Sequence, residues 1–457
     1  MSNTKKSLQE IFKANHVYAL ECTAVQNSFT ALICALSEAG AKISKTETLS
    51  ADAGSIQLRI EFFCVASTDA DAVKGAAEKA GAKVTKLENM LFEVRRGGAI
   101  KTISTKKIDT LTDLRMVYTP GVAEACKEIV NRPEAVREIT GVQTRVAIVS
   151  DGTAVLGLGD IGAEGSLPVM EGKAAIFAEF VGISGVPIVL NTKDPDEIVK
   201  VVEHISPAFG AIQLEDIAAP ACFEIEDKLK AKLNIPVFHD DQHATATVVL
   251  AALINAMKIT GKKPEESTAI VVGAGAAGYA ITKILLEYGL KDIVVYDAGG
   301  AIYRGRTEMM NPYLEKLAEA TNAGNIKGGF AEGFKGRDIF VGVARADLVS
   351  KELIASMADN AIAFPLSNPK GEISVEDAAE AGAAVTADGR TINNALAFPG
   401  IFRGALDAEA KEITEEMKLA AATALAEQAP EGMLLPDMID RNVHARVTKA
   451  VAEAAKK

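Results

Sequence analysis

Two segments near the start of the chain alternate apolar and polar side chains in the way that a half-buried strand does. Apolar residues at helical spacing follow each segment and end at a glycine, first Gly40 and then Gly81. The alternating apolar positions are Tyr18, Leu20 and Cys22 in the first segment and Ile56, Leu58, Ile60, Phe62 and Cys64 in the second. A closing strand over 83–96 gives the order βαββαβ. The pattern predicts a ferredoxin-like sandwich over residues 1–96.

A stretch rich in glycine and lysine at 97–107 predicts a linker, and beyond it short apolar runs alternate with helical stretches. The first series lies within 108–260 and includes "RVAIVS", "FGAIQL" and "IPVF"; a second series covers 261–405. This alternation predicts two α/β domains with mostly parallel sheets. Residues 406–457 carry apolar side chains at helical spacing, which predicts C-terminal helices that pack back on the first of these domains.

Composition narrows the class of protein. A net charge of −12 argues against nucleic acid or an anionic membrane as a partner. The five cysteines are odd in number, form no CxxC pair and lie mostly in apolar segments, which predicts reduced core residues and a cytoplasmic location. The start of the chain has no apolar signal core, and no apolar run approaches the ~20 residues that span a bilayer.

A glycine-rich turn indicates a dinucleotide site. The segment "VVGAGAAG" has glycines at 273, 275 and 278, directly after an apolar strand and before a helix. In this context the glycines permit a tight turn, close approach of a pyrophosphate, and close packing of helix on strand. Asp297 ends the next strand, where its carboxylate would accept hydrogen bonds from the ribose hydroxyls. Because Asp297 repels a 2′-phosphate and the three residues after it include no cation, NAD is favoured and NADP is the alternative.

Two pairs of acidic residues follow apolar strands. Glu215 and Asp216 end "FGAIQLED", and Asp240 and Asp241 lie between the strand "IPVF" and an apolar helix. Ligands of open α/β sheets gather at the carboxyl ends of strands, so we expect the two pairs to converge. Several carboxylates in one crevice require a hard cation, which predicts Mg²⁺ or Mn²⁺. Each pair alone is also compatible with a structural role, as a solvated strand end or a helix cap.

Two further residues are candidates for proton transfer. Lys173 lies in "LPVMEGKAAIF", at the predicted start of an apolar helix, where burial and a nearby metal would lower its pKa and make it a base. Tyr118 precedes a Thr-Pro-Gly turn in the manner of an exposed catalytic phenol.

These segments together resemble bacterial malic enzymes over residues 105–450. The shared motifs, in order, are "VYTPGVAEAC", "DGTAVLGLGDIGAEGSLPVMEGKAAIF", "IQLEDIAAP", "FHDDQHATA", "VVGAGAAG", "LSNP" and "NNALAFPGIFRGALDA". The resemblance implies Tyr118 as general acid, Lys173 as general base supported by Asp240, and metal ligation by Glu215, Asp216 and Asp241. It also implies that Asn368 and Asn394 contact malate or nicotinamide, and that the pyrophosphate lies on Gly273, Ala274, Gly275, Ala276, Ala277 and Gly278.

The N-terminal module resembles an ACT domain, which implies a small-molecule effector or a role in forming a homodimer or higher homo-oligomer. The resemblance as a whole implies NAD-dependent oxidative decarboxylation of L-malate to pyruvate and CO₂. The alternatives that the sequence leaves open are a malolactic-type or simple 2-hydroxy-acid dehydrogenase, and a ligand-sensing dinucleotide-binding protein without catalysis. Altered motifs on the substrate side, such as "TADGRTINNAL", motivate the last alternative.

Overall fold

The computed structural model describes residues 16–52 and 54–456. The chain divides into two compact units, Met1–Lys101 and Thr102–Lys457. This division falls inside the predicted linker. The finer boundaries given above within the second unit stay a prediction.

The first unit is a four-stranded antiparallel sheet with two helices against it. Its elements are β1 (His16–Val25), α1 (Phe29–Glu38), β2 (Lys42–Asp52), β3 (Ser55–Cys64), α2 (Asp69–Lys79), β4 (Lys83–Asn89) and α3 (Met90–Arg95). The strand order is β2-β3-β1-β4. The order βαββαβ and the predicted ferredoxin-like topology are therefore confirmed.

Alternation along the central strands builds the core of this unit. Leu20 and Cys22 of β1 and Leu58, Ile60 and Phe62 of β3 are buried and pack with Leu32 and Leu36 of α1. The closing segment differs from the sequence prediction, because the strand ends at Asn89 and a helix follows. The Asn89 side chain accepts a hydrogen bond from the Leu91 backbone N–H at 3.0 Å, which caps that helix.

The second unit begins with three short helices, α4 (Leu111–Val117), α5 (Val122–Asn131) and α6 (Ala135–Ile139). Neither α4 nor α5 has a buried residue, and their main contacts are with each other and with α6. The helices therefore leave a row of apolar side chains in solvent: Ile103, Ile108, Leu111, Leu114, Met116, Val117, Tyr118, Val122 and Val130. We call residues 103–130 the apolar arm.

A parallel sheet with the order β6-β5-β7-β8 follows. Its elements are β5 (Arg145–Ser150), α7 (Gly162–Val181), β6 (Ser184–Val189), α8 (Pro195–Ile205), β7 (Ala211–Leu214), α9 (Ala221–Lys232), β8 (Val237–His239) and α10 (Asp240–Thr260). The strands β5 and β7 are buried along nearly their whole length, as is typical of parallel strands covered on both faces.

A second sheet has the order β11-β10-β9-β12-β13-β14, and only β11 runs antiparallel to its neighbour. Its elements are β9 (Thr268–Val272), α11 (Ala276–Glu287), β10 (Asp292–Asp297), β11 (Gly300–Ala301), α12 (Pro312–Ala320), α13 (Phe330–Phe334), β12 (Ile339–Gly342), α14 (Lys351–Ala355), β13 (Ile362–Pro365), α15 (Val375–Glu380) and β14 (Val385–Thr386). The predicted α/β fold with a Rossmann-type sheet is confirmed.

Three helices close the chain, α16 (Phe398–Asp407), α17 (Glu415–Glu427) and α18 (Arg441–Ala454). They contact one another, α16 and α18 contact α7, and α17 contacts α10. Phe177 of α7 meets Phe398 and Phe402 of α16 edge to face, with ring centroids 5.0 and 5.3 Å apart. The C-terminal helices thus hold α7 and α10, which carry residues of the site described below.

Among the described residues, one helix, Asp240–Thr260, is long and apolar enough to cross a membrane by length and composition alone. It is α10, whose apolar side chains are mostly buried against neighbouring helices, so it is a core helix of the second unit. The five cysteines are free; Cys22, Cys64 and Cys222 are buried, whereas Cys34 and Cys126 are exposed. The expectation of core cysteines is therefore wrong for these two, which lie on the outer faces of α1 and α5.

Candidate active site

Two neighbouring parallel strands bring the acidic pairs together. Glu215 and Asp216 follow β7, while Asp240 and Asp241 begin α10 directly after β8. Asp216 has a positive φ of 54°, so the backbone turns there and both acidic side chains leave the strand toward one site. All but Asp241 are buried, which rules out the solvated strand end as an explanation. Neither aspartate is the N-cap residue of α10, which is His239, although both lie in the first turn, where negative charge suits the helix dipole.

Glu215, Asp216 and Asp241 form a carboxylate triad in which one oxygen from each lies within 4.8 Å of the others. Asp241 Oδ2 accepts a hydrogen bond from the Asp216 backbone N–H at 2.9 Å. Asp216 Oδ2 is buried and has no hydrogen-bond partner. Burial and then the charge of Asp241 raise the pKa of Asp216 to about 8, and burial raises the pKa of Glu215. Hard oxygen ligands, an unsatisfied buried oxygen and mutual repulsion are what a divalent cation would relieve, so the triad fits Mg²⁺ or Mn²⁺.

Lys173 lies beside the triad in an acidic, buried position. Its Nζ is 2.5 Å from Asp240 Oδ2 and 3.0 Å from Glu215 Oε1, and it lies 4.5 Å from the centroid of the Phe398 ring. Helix α7 begins at Gly162, so Lys173 lies in its second half; the prediction that it starts the helix is wrong. Burial pushes the Lys173 pKa down, but the carboxylates of Asp240, Glu215 and Asp241 outweigh burial and raise it. The expected lowering of this pKa is therefore not found while the carboxylates are unneutralised.

The adjacent aspartates have different partners. Asp241 belongs to the triad, whereas Asp240 Oδ2 accepts hydrogen bonds from Lys173 Nζ and from Asn394 Nδ2, each at 2.5 Å. Asn394, from the loop before α16, therefore contacts the partner of the lysine. Two residues that the sequence reasoning missed lie beside the carboxylates: Gln213 Nε2 donates to Glu215 Oε2 at 2.6 Å, whereas His239 Nε2 lies 3.7 Å from Asp241 Oδ2 and has no hydrogen-bond partner among the described residues. Both lie on the strands that carry the acidic pairs, which is the signal that could have found them.

The glycine-rich turn has the shape that a pyrophosphate site requires. Gly273 has φ 114°, and a Cβ there would lie 2.6 Å from Val343 O. A Cβ on Gly278 would lie 1.8 Å from Gly273 O, so this glycine permits the close packing of α11 on the turn. Gly275 faces open space, and as the N-cap residue of α11 it offers no side chain to the first backbone N–H groups. These groups and the N-terminal end of the helix dipole suit an anion.

A cavity of about 710 Å³ opens at this turn, lined by Gly273, Ala274 and Gly275 and by Asp297 at the end of β10. Asp297 Oδ1 accepts a hydrogen bond from the Gly299 N–H at 2.8 Å and lies 2.9 Å from Arg306 Nη2. Arg306 is buried, and Arg345 lines the same cavity. The three residues that follow Asp297 carry no cation, but Arg306, further along the chain, places one beside its carboxylate. The loop after β11 returns Arg306 to the strand end, which spacing along the chain does not reveal.

Comparison with known proteins assigns the family. Residues 97–230 match the domain described as Malic enzyme, N-terminal domain, and residues 243–456 match Malic enzyme, NAD binding domain. This chain belongs to the malic enzyme family. It is 45% identical over 439 residues to the NAD-dependent malic enzyme of Geobacillus stearothermophilus, a match that covers 94% of this chain and 91% of that protein.

Two further proteins are similar. The bifunctional malic/malolactic enzyme of Bacillus subtilis is 48% identical over 78% of this chain and 90% of its own length. The crystal structure of an NAD-dependent malic enzyme from Thermotoga maritima matches 79% of this chain and 98% of its own with a TM-score of 0.77 and 42% identity. The expected NAD-binding malic enzyme fold is thus confirmed.

Two residues of the malic enzyme motifs lie apart from the triad and Lys173. The side chain of Tyr118 lies on the apolar arm and is 66% exposed. Asn368 lies in the loop after β13, where its Nδ2 donates to Leu366 O at 3.4 Å and lies near Gly389. Among the described residues, neither side chain forms a hydrogen bond or an ion pair with Lys173 or the triad. The structure therefore brings together Lys173, Asp240, Asn394, Glu215, Asp216 and Asp241.

Proposed function

We propose that this chain converts L-malate to pyruvate and CO₂ with reduction of NAD, and that Lys173 and the carboxylate triad form its reaction centre. The observation that carries the proposal is the 2.5 Å contact between Lys173 and Asp240 directly beside three convergent carboxylates. A proton acceptor and a divalent-cation site in contact are what oxidation of a 2-hydroxy acid followed by loss of CO₂ requires.

Glu215, Asp216 and Asp241 would hold the cation, Mg²⁺ or Mn²⁺, and Gly273 to Gly278 with Asp297 would hold NAD. When bound, the cation supplies positive charge at the C2 oxygen and the nicotinamide supplies a hydride acceptor. A cation held by Glu215 and Asp241 would offset two of the charges that raise the Lys173 pKa, which would favour loss of the lysine proton. Lys173 becomes a base under the condition in which malate is oxidised.

Lys173 takes the proton of the C2 hydroxyl while the C2 hydride leaves, and Asp240 and Asn394 hold the lysine in position. The resulting 2-oxo acid loses CO₂ from C4 and leaves an enolate whose C3 must gain one proton. Tyr118 donates it, so the proton taken at the hydroxyl balances the one delivered at C3. The nicotinamide of the cofactor that Gly273 to Gly278 and Asp297 would hold would accept the hydride. Asn368 is proposed to contact malate or the nicotinamide.

Tyr118 requires a second copy of the chain to reach this centre. Its phenol is exposed on the apolar arm, whose two helices bury no residue of their own. An apolar surface of this extent on a helical arm indicates an interface. We propose a homodimer in which the arm of each chain packs on the other, as the symmetry of most oligomers favours, and delivers Tyr118 across the interface.

We also propose a role for the N-terminal module, a cellular compartment and an alternative cofactor. The ferredoxin-like topology supports an ACT-like module with an effector site or a role in oligomerisation. Five free cysteines support a reducing compartment, the cytoplasm. NADP is the alternative to NAD, because other relatives at about 40% identity are named NADP-dependent malic enzymes.

A second candidate function is malolactic conversion. The relative from Bacillus subtilis is named for both activities, and it is 48% identical to this chain. In that reaction lactate leaves in place of pyruvate and no net NADH accumulates. The two functions share the residues proposed above.

One assay tests the proposal: NADH and organic-acid products are measured with L-malate and NAD, with Mn²⁺ or with a chelator. We expect equal amounts of NADH and pyruvate with Mn²⁺ and a strong loss with the chelator. Lactate without NADH would replace the proposal with the malolactic alternative, and turnover unaffected by the chelator would remove the cation from the reaction.

A further inference from the structure

A second cavity, of about 140 Å³, lies among helices α9, α10, α11, α12 and α17. Its lining includes neither the carboxylate triad, nor Lys173, nor the glycine-rich turn. The volume is well above the ~15 Å³ that one ordered water requires. The cavity therefore has room for a small ligand at a place that the proposed reaction does not use.

Charged side chains of both signs line this cavity, with one lysine more than carboxylates. Four lysines line it, Lys230, Lys283, Lys316 and Lys418, against three carboxylates, Glu226, Asp227 and Glu415. Two of the lysines are paired: Lys230 Nζ lies 2.8 Å from Glu226 Oε1, and Lys418 Nζ lies 2.7 Å from Glu415 Oε1.

The other two ammonium groups have aromatic neighbours. Lys283 Nζ lies 5.9 Å from the centroid of the Tyr279 ring, and Lys316 Nζ lies 5.2 Å from that of Tyr313. No carboxylate among the described residues lies within 4.0 Å of either ammonium. Both lysines are on the exposed rim of the cavity, on α11 and α12. Each of these ammonium groups can therefore form an ion pair with an anionic ligand.

The floor of the cavity is buried. The side chain of Lys418 is 5% exposed, its Nζ lies 3.3 Å from His243 Nδ1, and His243 Nε2 lies 2.8 Å from Glu226 Oε1. Burial lowers the pKa of Lys418 despite its contact with Glu415. An anion that entered from the rim would pass two exposed ammonium groups and reach the buried one of Lys418, which Glu415 already pairs.

We propose that this cavity binds a small ligand through a phosphate group. Lysine ammonium groups act as point charges that suit the several oxygens of a phosphate dianion. The rings of Tyr279 and Tyr313, together with Phe223, line one side of the cavity and suit the carbon skeleton of a phosphorylated metabolite. Inorganic phosphate and a phosphate ester share this chemistry.

Occupancy of the cavity would link the two parts of the reaction centre. Helix α10 begins at Asp240 and Asp241, and α11 begins in the glycine-rich turn. A ligand held by Lys418 on one side and by Lys283 and Lys316 on the other ties the helices of one sheet to those of the second. We expect a bound ligand to change the KM for malate, and this expectation rests on the proposed function. The binding of the ligand itself does not depend on that function.

The test is calorimetric titration of the full chain with inorganic phosphate at constant ionic strength, in the presence of saturating NAD, which blocks the glycine-rich turn. We compare the parent with the double variant Lys283→Ala/Lys316→Ala and with the control Lys291→Ala, an exposed lysine beyond the end of α11. Both variants change exposed side chains, and thermal unfolding verifies their folding. A second titration uses a small phosphate ester. The ligand with the higher affinity, inorganic phosphate or the ester, identifies the class of compound that the cavity binds.

We expect one phosphate per chain, at least tenfold weaker binding in the double variant, and affinity within twofold of the parent in the control. Equal affinity in parent and double variant, or no saturable binding up to about 20 mM phosphate, would overturn the site. Phosphate should also change the KM for malate in the parent and not in the double variant; an unchanged KM would overturn the link to turnover. If the chain binds phosphate but does not oxidise malate, the phosphate site is supported and the proposed function is wrong.

Discussion

Asp240 and Asp241 are neighbours in the chain, yet one contacts a lysine and the other belongs to the carboxylate triad. The separation arises because α10 begins at Asp240, so successive side chains point in directions about 100° apart on the helix. One adjacent pair thereby serves two chemical tasks, proton transfer and cation binding. At the scale of single residues, the proposed mechanism depends on this division.

Asp241→Asn should lower kcat/KM roughly 100- to 1000-fold, because one charged ligand of the cation is lost. NAD affinity should stay within a few fold of the parent, since the glycine-rich turn is on a different sheet. Calorimetry with Mn²⁺ and with NAD measures the two affinities, and Glu287→Gln on the exposed side of α11 is the control. Unchanged Mn²⁺ affinity in Asp241→Asn would remove Asp241 from the cation site.

Asp297→Ser should shift cofactor preference toward NADP by roughly tenfold, because a carboxylate that repels a 2′-phosphate is removed and Arg306 loses its contact with that carboxylate. The shift should require Arg306: in Asp297→Ser/Arg306→Ala the gain for NADP should disappear. The quantity to compare is the ratio of kcat/KM for the two cofactors. A ratio that does not move in Asp297→Ser would mean that other residues recognise the ribose.

At the scale of elements, pattern predicted most of the fold. Period-two alternation identified β1 and β3, and apolar runs of strand length identified the parallel strands, because burial on one or both faces leaves a direct trace in the sequence. Contacts between distant loops leave no such trace. Arg306 reaches Asp297 through a returning loop, and Asn394 reaches Asp240 from 154 positions further along the chain. The start of α7 was also missed, since its first turns carry glycines.

Helix α18 is held on α7 by a buried histidine. His444 is fully buried, stacks on Phe180 with centroids 4.4 Å apart, and lies with Nε2 2.9 Å from Met438 O. Burial lowers the pKa of His444, so the neutral ring is favoured in the folded state. The stability that this gives is present above the ordinary histidine pKa of about 6.5 and is lost as the pH falls through that value and below.

We therefore expect the Tm of the parent to fall between pH 7.5 and pH 5.5 by about 2 °C more than that of His444→Phe, which keeps the ring stacking and cannot be protonated. Differential scanning fluorimetry at the two pH values measures this. His204→Gln, a substitution near the end of α8, is the control and should follow the parent. An equal fall in parent and His444→Phe would show that His444 does not contribute to the acid sensitivity.

At the scale of the whole molecule, we propose that a second chain completes the reaction centre, because Tyr118 lies exposed on the apolar arm. If each arm serves the other chain, a Tyr118→Phe chain and a Lys173→Ala chain complement each other. Random mixing gives half mixed dimers, each with one intact centre, so activity should recover to about one quarter of the parent. The mixture is unfolded and refolded together, and each variant treated alone is the control. Recovery no greater than the sum of the two controls would place Tyr118 in its own chain's centre or outside the reaction.

The most direct test of the account compares NADH and pyruvate formed from L-malate by the parent and by Lys173→Ala, with Mn²⁺ present and with small primary amines added or omitted. Since Lys173 is proposed to accept the hydroxyl proton, the variant should lose both products together, and an added amine should restore part of both in equal amounts. If Lys173→Ala formed NADH from malate at the parent rate, Lys173 would not be the base, and the assignment of the reaction centre would be wrong.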